Sequence, residues 1–169
     1  MRTLGLLLLL PFSTFSFAAD HSIARTLYVE EVEYQIHEII DKHSSGENTE
    51  YDDFRLDKLS NRIAQMTDNV ASRVVFTYSI EDKEPVERLL EVTHRNGNIF
   101  LFTEVIGQKD KQVTHIWYSD GIETFRKTFH VCADKWRMWS SKHPDDANHL
   151  TVLVYSDNTL IAAKHLEIQ

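Results

Sequence analysis

Two tryptophans lie three positions apart in a short segment that also carries basic and hydroxyl side chains. The segment ADKWRMWSSKH, residues 133–143, holds two of the three tryptophans of the chain. In a β-strand, successive side chains point to opposite faces. Trp136 and Met138 then point into the core, while Arg137 and Trp139 point the other way. The segment therefore predicts one buried and one exposed indole on the same strand.

The exposed indole has neighbours suited to binding a ligand. We expect a recognition surface of four residues, His115, Arg137, Trp139 and Lys142. Aromatic faces flanked by Arg and Lys suit stacking on sugar rings or on the anchor side chains of a protein partner. An inward-facing His115, whose ring nitrogens are satisfied by hydrogen bonds, is the alternative. Both positions of this histidine stay open at the level of sequence.

The sequence lacks the common motifs of catalysis and metal binding. The Ser140–Ser141 pair has no Gly-x-Ser-x-Gly or Ser-x-x-Lys frame around it. The nine histidines form no His-Glu-x-x-His motif, and His130-x-Cys132 offers two ligands where a site needs at least one more. We therefore expect no catalytic residue, no metal and no cofactor. The alternative is a hydrolytic or metal-dependent enzyme that uses His115 with a nearby Ser or Asp.

The first eighteen residues have the layout of a secretory signal peptide. Arg2 gives a short positive start, residues 4–17 carry no charge, and Ser16 and Ala18 are small residues at the −3 and −1 positions of a cleavage site. The apolar run is shorter than the roughly 20 residues that span a bilayer. We expect a signal peptide over residues 1–18, a periplasmic location, and no stable membrane insertion after cleavage.

Charge and cysteine content narrow the partners further. The chain carries 18 Lys and Arg against 26 Asp and Glu, a formal net charge of −8. Because nucleic-acid binding needs a basic surface that releases counterions from phosphates, we expect no nucleic-acid partner. The single cysteine, Cys132, cannot form an internal disulfide, and we expect it to be buried as a small apolar residue.

The N-terminal part of the chain has a helical hydrophobic period. Apolar residues recur at helical spacing in two runs, Val29, Val32, Ile36 and Ile39, and then Leu56, Leu59, Ile63 and Met66. Residues 43–53 are polar and contain a glycine, so we expect a loop there, with Asp52 or Asp53 capping the second helix. The prediction is a helical hairpin over residues 19–70. It packs against the following domain or, alternatively, forms homo-oligomers through its apolar seam.

From Ala71 onward the hydrophobic period falls to two. Three dipeptides typical of tight turns, Asn96-Gly97, Asp120-Gly121 and Asp157-Asn158, separate apolar runs. About eight short strands over residues 71–169 predict a mainly β fold, an immunoglobulin-like antiparallel β-sandwich preceded by the α-helical hairpin. We expect Trp117 in the core, because an interior tryptophan on a middle strand is common in sandwiches.

Residues from about Arg73 to Ile168 resemble an uncharacterised bacterial family, number twenty-nine fourteen among the domains of unknown function (DUF). The matching segments are SRVVFTYSIEDKEPVERL (72–89), FLFTEVIG (100–107), VTHIWYSDG (113–121) and KWRMWSSKH (135–143). The resemblance implies a small β-sandwich of bacterial envelope proteins, and it implies no reaction. The chain departs from the family's Gly-x-Trp-x-Val near the penultimate strand, where residues 148–152 read NHLTV. The hairpin lies outside the resemblance.

Together these features predict an exported, non-catalytic recognition or adaptor module of the bacterial cell envelope. Its partner would be an envelope polysaccharide or a protein, bound through the aromatic and basic sheet surface. Two other functions stay open. One is a structural or assembly subunit that oligomerises through the hairpin, and the other is the enzyme that uses His115.

Overall fold

The computed structural model describes residues 17–67, 69–90, 92 and 97–169. Two helices precede nine strands within these residues: α1 Phe17–Ser45, α2 Glu50–Thr67, β1 Ala71–Thr77, β2 Ile80–Glu81, β3 Glu84–Pro85, β4 Ile99–Ile106, β5 Gln112–Ser119, β6 Ile122–His130, β7 Lys135–Lys142, β8 His149–Ser156 and β9 Thr159–Glu167. The predicted signal peptide, residues 1–18, lies outside the described residues except for its last two positions, and Asn96 of the first predicted turn lies outside them too.

Two antiparallel sheets enclose the main hydrophobic core. One sheet has three strands in the order β1-β4-β7, the other has four in the order β6-β5-β8-β9, and β2 and β3 form a separate short ribbon. Trp117 is fully buried and Met138 is 3% exposed in the core between the sheets. The predicted fold class, a mainly β antiparallel sandwich preceded by a pair of helices, is confirmed.

The helical hairpin covers the outer face of the four-stranded sheet. Alternation along β8 sends Val152 and Val154 into the sandwich and Leu153 toward the helices. The predicted apolar runs form this second core, together with Leu160 and Ala163 of β9. The apolar seam of the hairpin is therefore buried within the chain, as the packing interpretation predicted.

The turn between the helices is shorter than predicted. α1 ends at Ser45 and α2 begins at Glu50, so the loop predicted over residues 43–53 spans only residues 46–49. A capping box explains the early start of α2: the Thr49 hydroxyl accepts the Asp52 amide at 3.3 Å, and the Asp52 carboxylate accepts the Thr49 amide at 3.1 Å. The N-cap is thus Thr49 and not Asp52 or Asp53, although Asp52 takes part in capping as the second member of the box.

The turn between β5 and β6 confirms one of the predicted hairpins and also locates α1. Asp120 and Gly121 have φ angles of 45° and 78°, which suit a tight turn with left-handed residues. A side chain at Gly121 would overlap the Ile40 carbonyl and the Ser44 amide, because the end of α1 lies directly against this turn. The glycine therefore permits the close approach of helix and sheet.

Two further predictions, for the tryptophans of β7 and for Cys132, can be compared with the structure. Strand β7 buries Met138 and sends Trp136 and Trp139 to opposite faces, as alternation predicted, but both indoles are half-buried, which corrects the expectation of one buried and one exposed indole. Cys132 is exposed, which corrects the expectation of burial: it lies in the connection after β6, where Val131 points into the core instead. No helix among the described residues is long and apolar enough to cross a membrane.

Candidate functional site

His115 lies between the two sheets and not on a surface. Its Nδ1 atom is 2.8 Å from the Ser140 hydroxyl, and the Trp117 indole N–H donates to the same oxygen at 2.8 Å. Burial lowers the pKa of His115 to about 3, and the charge of Lys127 acts in the same direction, so the ring is neutral at physiological pH. The inward-facing position is correct, but only one ring nitrogen is satisfied, because Nε2 of His115 has no hydrogen-bond partner among the described residues. We call His115, Trp117 and Ser140 the core trio.

The other three predicted binding residues do not form one surface either. Lys142 shares the strand parity of Ser140, and its ammonium contacts Asp145 at 3.0 Å. Arg137 and Trp139 share the outer face of the three-stranded sheet. The Arg137 guanidinium is held by carboxylates of Glu104 at 2.7 Å and Glu84 at 2.6 Å. Of the four predicted residues, the structure brings only Arg137 and Trp139 together.

A groove along the edge strand β7 is lined by both indoles of the 133–143 segment, Trp139 from the outer face and Trp136 from the opposite side of the strand. It has a volume of about 560 Å³ and is lined by Lys83, Lys135, Trp136, Arg137 and Trp139. We call it the indole groove. Lys83 reaches it from the turn between β2 and β3, where its φ angle is 63°. Two aromatic faces and three basic side chains therefore converge at one edge of the sandwich.

A buried carboxylate fixes the floor of the indole groove. Burial by itself would raise the pKa of Glu104, but hydrogen bonds from Arg137, Ser72 and Lys135 outweigh it and lower the pKa to about 2. Glu104 therefore stays ionised and holds Arg137 in place. Arg137 is therefore fixed in place beside the indoles, and its charge is largely neutralised by the carboxylates of Glu104 and Glu84.

Three histidines and an aspartate form a second cluster beneath the helical hairpin. His43 is in the last turn of α1, Asp53 in the first turn of α2, His149 begins β8 and His165 lies near the end of β9. One nitrogen or oxygen of each side chain lies within 4.8 Å of the corresponding atom of every other. We call these four residues the histidine cluster. Four elements distant in sequence converge on one point.

The orientation of His43 in the cluster follows from its hydrogen bonds. Its Nδ1 atom is 2.8 Å from the Ile39 carbonyl, which accepts only, so Nδ1 carries a proton and donates. Its Nε2 atom therefore points at Asp53 Oδ1, which is 2.7 Å away. A neutral ring would place a lone pair against a carboxylate there. A bound metal ion would satisfy both atoms at once.

The two strand histidines bring further ring nitrogens to the same carboxylate. His149 Nδ1 lies 3.9 Å from Asp53 Oδ1, and His165 Nε2 lies 3.7 Å from it. Both nitrogens are buried and have no hydrogen-bond partner among the described residues. Burial lowers the pKa of His165 to about 4; Asp53 opposes this shift, and the other two histidines add to it. His165 is thus neutral, with Thr151 Oγ1 at 3.1 Å from its Nδ1.

Backbone contacts hold the cluster in place. The Asp120 carboxylate accepts the His149 amide at 2.9 Å, and the adjacent Gly121 packs against the end of α1 that carries His43. Asp52 is committed elsewhere, to Lys42 at 3.0 Å and to the capping box. Of these two neighbouring acidic residues of α2, Asp52 therefore binds Lys42 and the capping box, and Asp53 faces the histidines.

Sequence reasoning missed the histidine cluster, although part of its signal was present. The predicted turn at Asp157-Asn158 pairs Thr151 with His165, and His149 lies on the same face as Thr151. Counting outward from that turn would instead have paired Thr151 with Lys164, because a bulge between Val154 and Tyr155 shifts the register by one residue. The approach of His149 to His165 therefore depends on a bulge that the sequence pattern did not indicate. The contribution of His43 and Asp53 depends on how the hairpin packs on the sheet, and no period in the sequence encodes that.

The architecture is that of a β-sandwich module with a helical hairpin packed on one face. A family model described as "Protein of unknown function (DUF2914)" matches residues 110–150. The predicted resemblance is confirmed, over a shorter segment than expected. The match includes the core trio, Trp139 and His149, and it leaves out the helical hairpin. No curated protein matches the chain.

Proposed function

We propose that this protein is an exported, non-catalytic recognition module of the bacterial cell envelope, and that it binds a polysaccharide in the indole groove. The observation that carries this proposal is the convergence of Trp136 and Trp139 with the basic side chains of Lys83 and Lys135. The groove's volume of about 560 Å³ lies within the range of roughly 300–1,000 Å³ that is typical of ligand sites.

The chemistry of the groove favours a sugar polymer over a protein partner. The C–H faces of sugar rings stack on indoles, and lysine ammonium groups donate to sugar hydroxyls or carboxylates. The cores of protein interfaces, in contrast, are depleted in charged residues. Here Arg137 and its two carboxylate partners lie beside Trp139, on the same face. A charged and aromatic groove of this kind suits a hydrated polymer.

Export to the envelope is supported by sequence features alone. The charge-free run over residues 4–17 and the small residues before position 19 have the form of a cleavable signal. The net charge of −8 also fits a ligand other than nucleic acid. These features are the reason for placing the polysaccharide in the periplasm.

The two other predicted functions have less support. Oligomerisation through the apolar seam would compete with its packing on the sheet, where Ile36, Leu56 and Ile63 are fully buried. An enzyme that uses His115 would need a route to the ring, but His115 is fully buried and Ser140 is 2% exposed. The indole groove is open, and this difference favours recognition over catalysis.

The proposal is tested by retention on insoluble envelope polysaccharide. We expect the protein to sediment with purified polysaccharide and Trp139→Ala to lose at least about tenfold in affinity, because a stacked aromatic contributes about 1–3 kcal/mol to binding. Phe125→Ala is the matched control, since Phe125 is an exposed aromatic side chain on the other sheet. Circular dichroism should show both variants folded.

Two results would contradict this proposal. One is equal retention of Trp139→Ala and the unaltered protein on the polysaccharide. The other is no retention of the unaltered protein on any envelope glycan. Loss of folding in Trp139→Ala would contradict the outward-facing position of the indole itself.

A further inference from the structure

We propose that the histidine cluster is a zinc site in which His43 Nε2, His149 Nδ1, His165 Nε2 and Asp53 Oδ1 bind one Zn²⁺ ion. The site is separate from the indole groove and does not depend on the proposed function. Its ligands come from both helices and from the two C-terminal strands, so the ion would join the helical hairpin to the sandwich.

The spacing of the four atoms suits a tetrahedral ion. Zinc–nitrogen and zinc–oxygen bonds of about 2.0–2.1 Å put the ligand atoms of a tetrahedron roughly 3.3 Å apart. From Asp53 Oδ1, the three nitrogens lie at 2.7, 3.7 and 3.9 Å. These distances lie on both sides of the tetrahedral value. The four ligand atoms all lie within 4.8 Å of one another, so the side chains would have to draw together around the ion.

The protonation states also suit a metal. A histidine ligand must be neutral and must present a lone pair. The Ile39 carbonyl holds the proton of His43 on Nδ1 and so aims the Nε2 lone pair into the cluster. The Thr151 hydroxyl does the same for His165 when it accepts from Nδ1. Carbonyl and hydroxyl partners of this kind are the usual second contacts of metal-binding histidines.

Unpartnered nitrogens are the independent sign of a ligand. Buried polar atoms almost always have a hydrogen-bond partner, so exceptions need an explanation. His149 Nδ1 and His165 Nε2 lack partners among the described residues, and both lie within 4 Å of Asp53 Oδ1. The His165 side chain is only 4% exposed. A shared cation satisfies both nitrogens and the carboxylate at the same time.

The donor set selects zinc among the divalent ions. Calcium and magnesium prefer sites made of oxygen ligands, whereas imidazole suits zinc and its transition-metal neighbours. Four protein ligands leave no open coordination position, which is typical of structural zinc and not of catalytic zinc. The expected role is therefore stabilisation of the hairpin on the sheet.

The first experiment measures zinc on the unaltered protein. The full chain, purified in the form that cells produce and stripped with a chelator, is titrated with Zn²⁺ alone. We expect one equivalent to bind, and the melting temperature to rise by several degrees because the ion binds the folded state. X-ray absorption at the zinc edge should show nitrogen and oxygen ligands, imidazole scattering and no sulfur. Well under one equivalent, or a sulfur ligand, would overturn the proposal.

The second experiment tests the ligands one at a time. We expect His165→Gln and Asp53→Asn each to weaken zinc binding by more than about 100-fold, beyond the usual cost of losing a second-contact partner. The control is the double variant His130→Gln, Cys132→Ser, which removes the exposed pair and should bind zinc unchanged. Unchanged affinity in both ligand variants, or loss in the control, would contradict the site. If a ligand variant fails to fold, the absorption spectrum of the unaltered protein decides.

Discussion

The four-stranded sheet carries buried histidines on both of its faces, and the two groups are built differently. On the inner face, His115 of β5 shares one hydroxyl with Trp117, and both partners of that hydroxyl are uncharged. On the outer face, His149 and His165 meet His43 around a carboxylate. The core trio joins two strands, whereas the histidine cluster joins two helices and two strands.

This difference teaches how a structural histidine can be distinguished from a metal ligand. In the core trio a single oxygen contacts His115 Nδ1 and the Trp117 N–H, and the buried Nε2 of His115 has no partner among the described residues. In the histidine cluster several lone pairs converge on one point beside a negative charge. Burial is similar at both places: His115 is fully buried and the His165 side chain is 4% exposed. Convergence, and not burial, marks the metal site.

Removing the shared hydroxyl of the core trio should have the largest effect on folding. Ser140→Ala leaves the Trp117 N–H and His115 Nδ1 without partners in a dry core, and each unpaired group costs about 1–3 kcal/mol. We expect urea unfolding to show a loss of roughly 2–4 kcal/mol. Ser141→Ala, on the opposite face of the same strand, is the matched control and should change stability by no more than about 0.5 kcal/mol. Equal losses of stability in the two variants would show that the Ser140 hydroxyl contributes no more to folding than the Ser141 hydroxyl does.

The core trio was largely predictable from sequence, since it depends on short-range alternation. Trp117 and His115 share a parity, and the strand that carries Trp136 sends Ser140 to the same side. The sequence did not reveal that this serine would meet the histidine, because that contact joins strands of different sheets. The sequence therefore left two positions open for His115, one in the core and one in a binding surface. The packing of the two sheets shows that the core position is the correct one.

The indole groove and the histidine cluster show the limits of such predictions more sharply. Alternation correctly placed Trp136 and Trp139 on opposite faces of β7. Lys83, however, lines the groove from the turn between the short strands β2 and β3, which no periodicity in the sequence indicated. Because residues 43–53 were predicted to be a loop, the sequence did not indicate that His43 and Asp53 lie on two helices. In the structure they face each other across the short capped turn between α1 and α2. Long-range packing decided both sites, and local patterns supplied only their parts.

The pH dependence of stability should show an effect of intermediate size from His115 in the core trio. The folded-state pKa of His115 is lowered from 6.5 to about 3 by burial and by Lys127, the charged group that faces it from β6. Below pH 6.5 the unfolded chain therefore binds a proton that the folded chain does not, and stability is lost as the pH falls toward 3. Between pH 7 and 5.5 we expect His115 to account for about 1 kcal/mol of lost stability.

The comparison that measures this contribution is the difference between the unaltered protein and His115→Gln. The variant keeps a polar side chain but cannot titrate, so its stability should fall less over the same pH interval. Glu104 does not interfere, because its lowered pKa removes stability only below its ordinary value of 4.5 and toward about 2. Parallel pH profiles of the two proteins would show that His115 is not held neutral by the core.

Removing the hydroxyl partner of a cluster histidine should have the smallest effect on folding and a larger one on zinc. Thr151→Val takes the partner from His165 Nδ1, but the ring can move its proton to Nε2, which lies 3.7 Å from Asp53 Oδ1 and needs only a small shift to donate to it. His115 has no such second partner, so we expect less than about 1 kcal/mol of lost stability without metal. Zinc affinity should nevertheless fall by about 10–100-fold, because the tautomer that presents the Nε2 lone pair loses its support. Thr114→Val, which removes an exposed hydroxyl of the same sheet, is the control for both measurements. A destabilisation as large as that of Ser140→Ala, with unchanged zinc affinity, would make the outer histidines a structural group like the inner one.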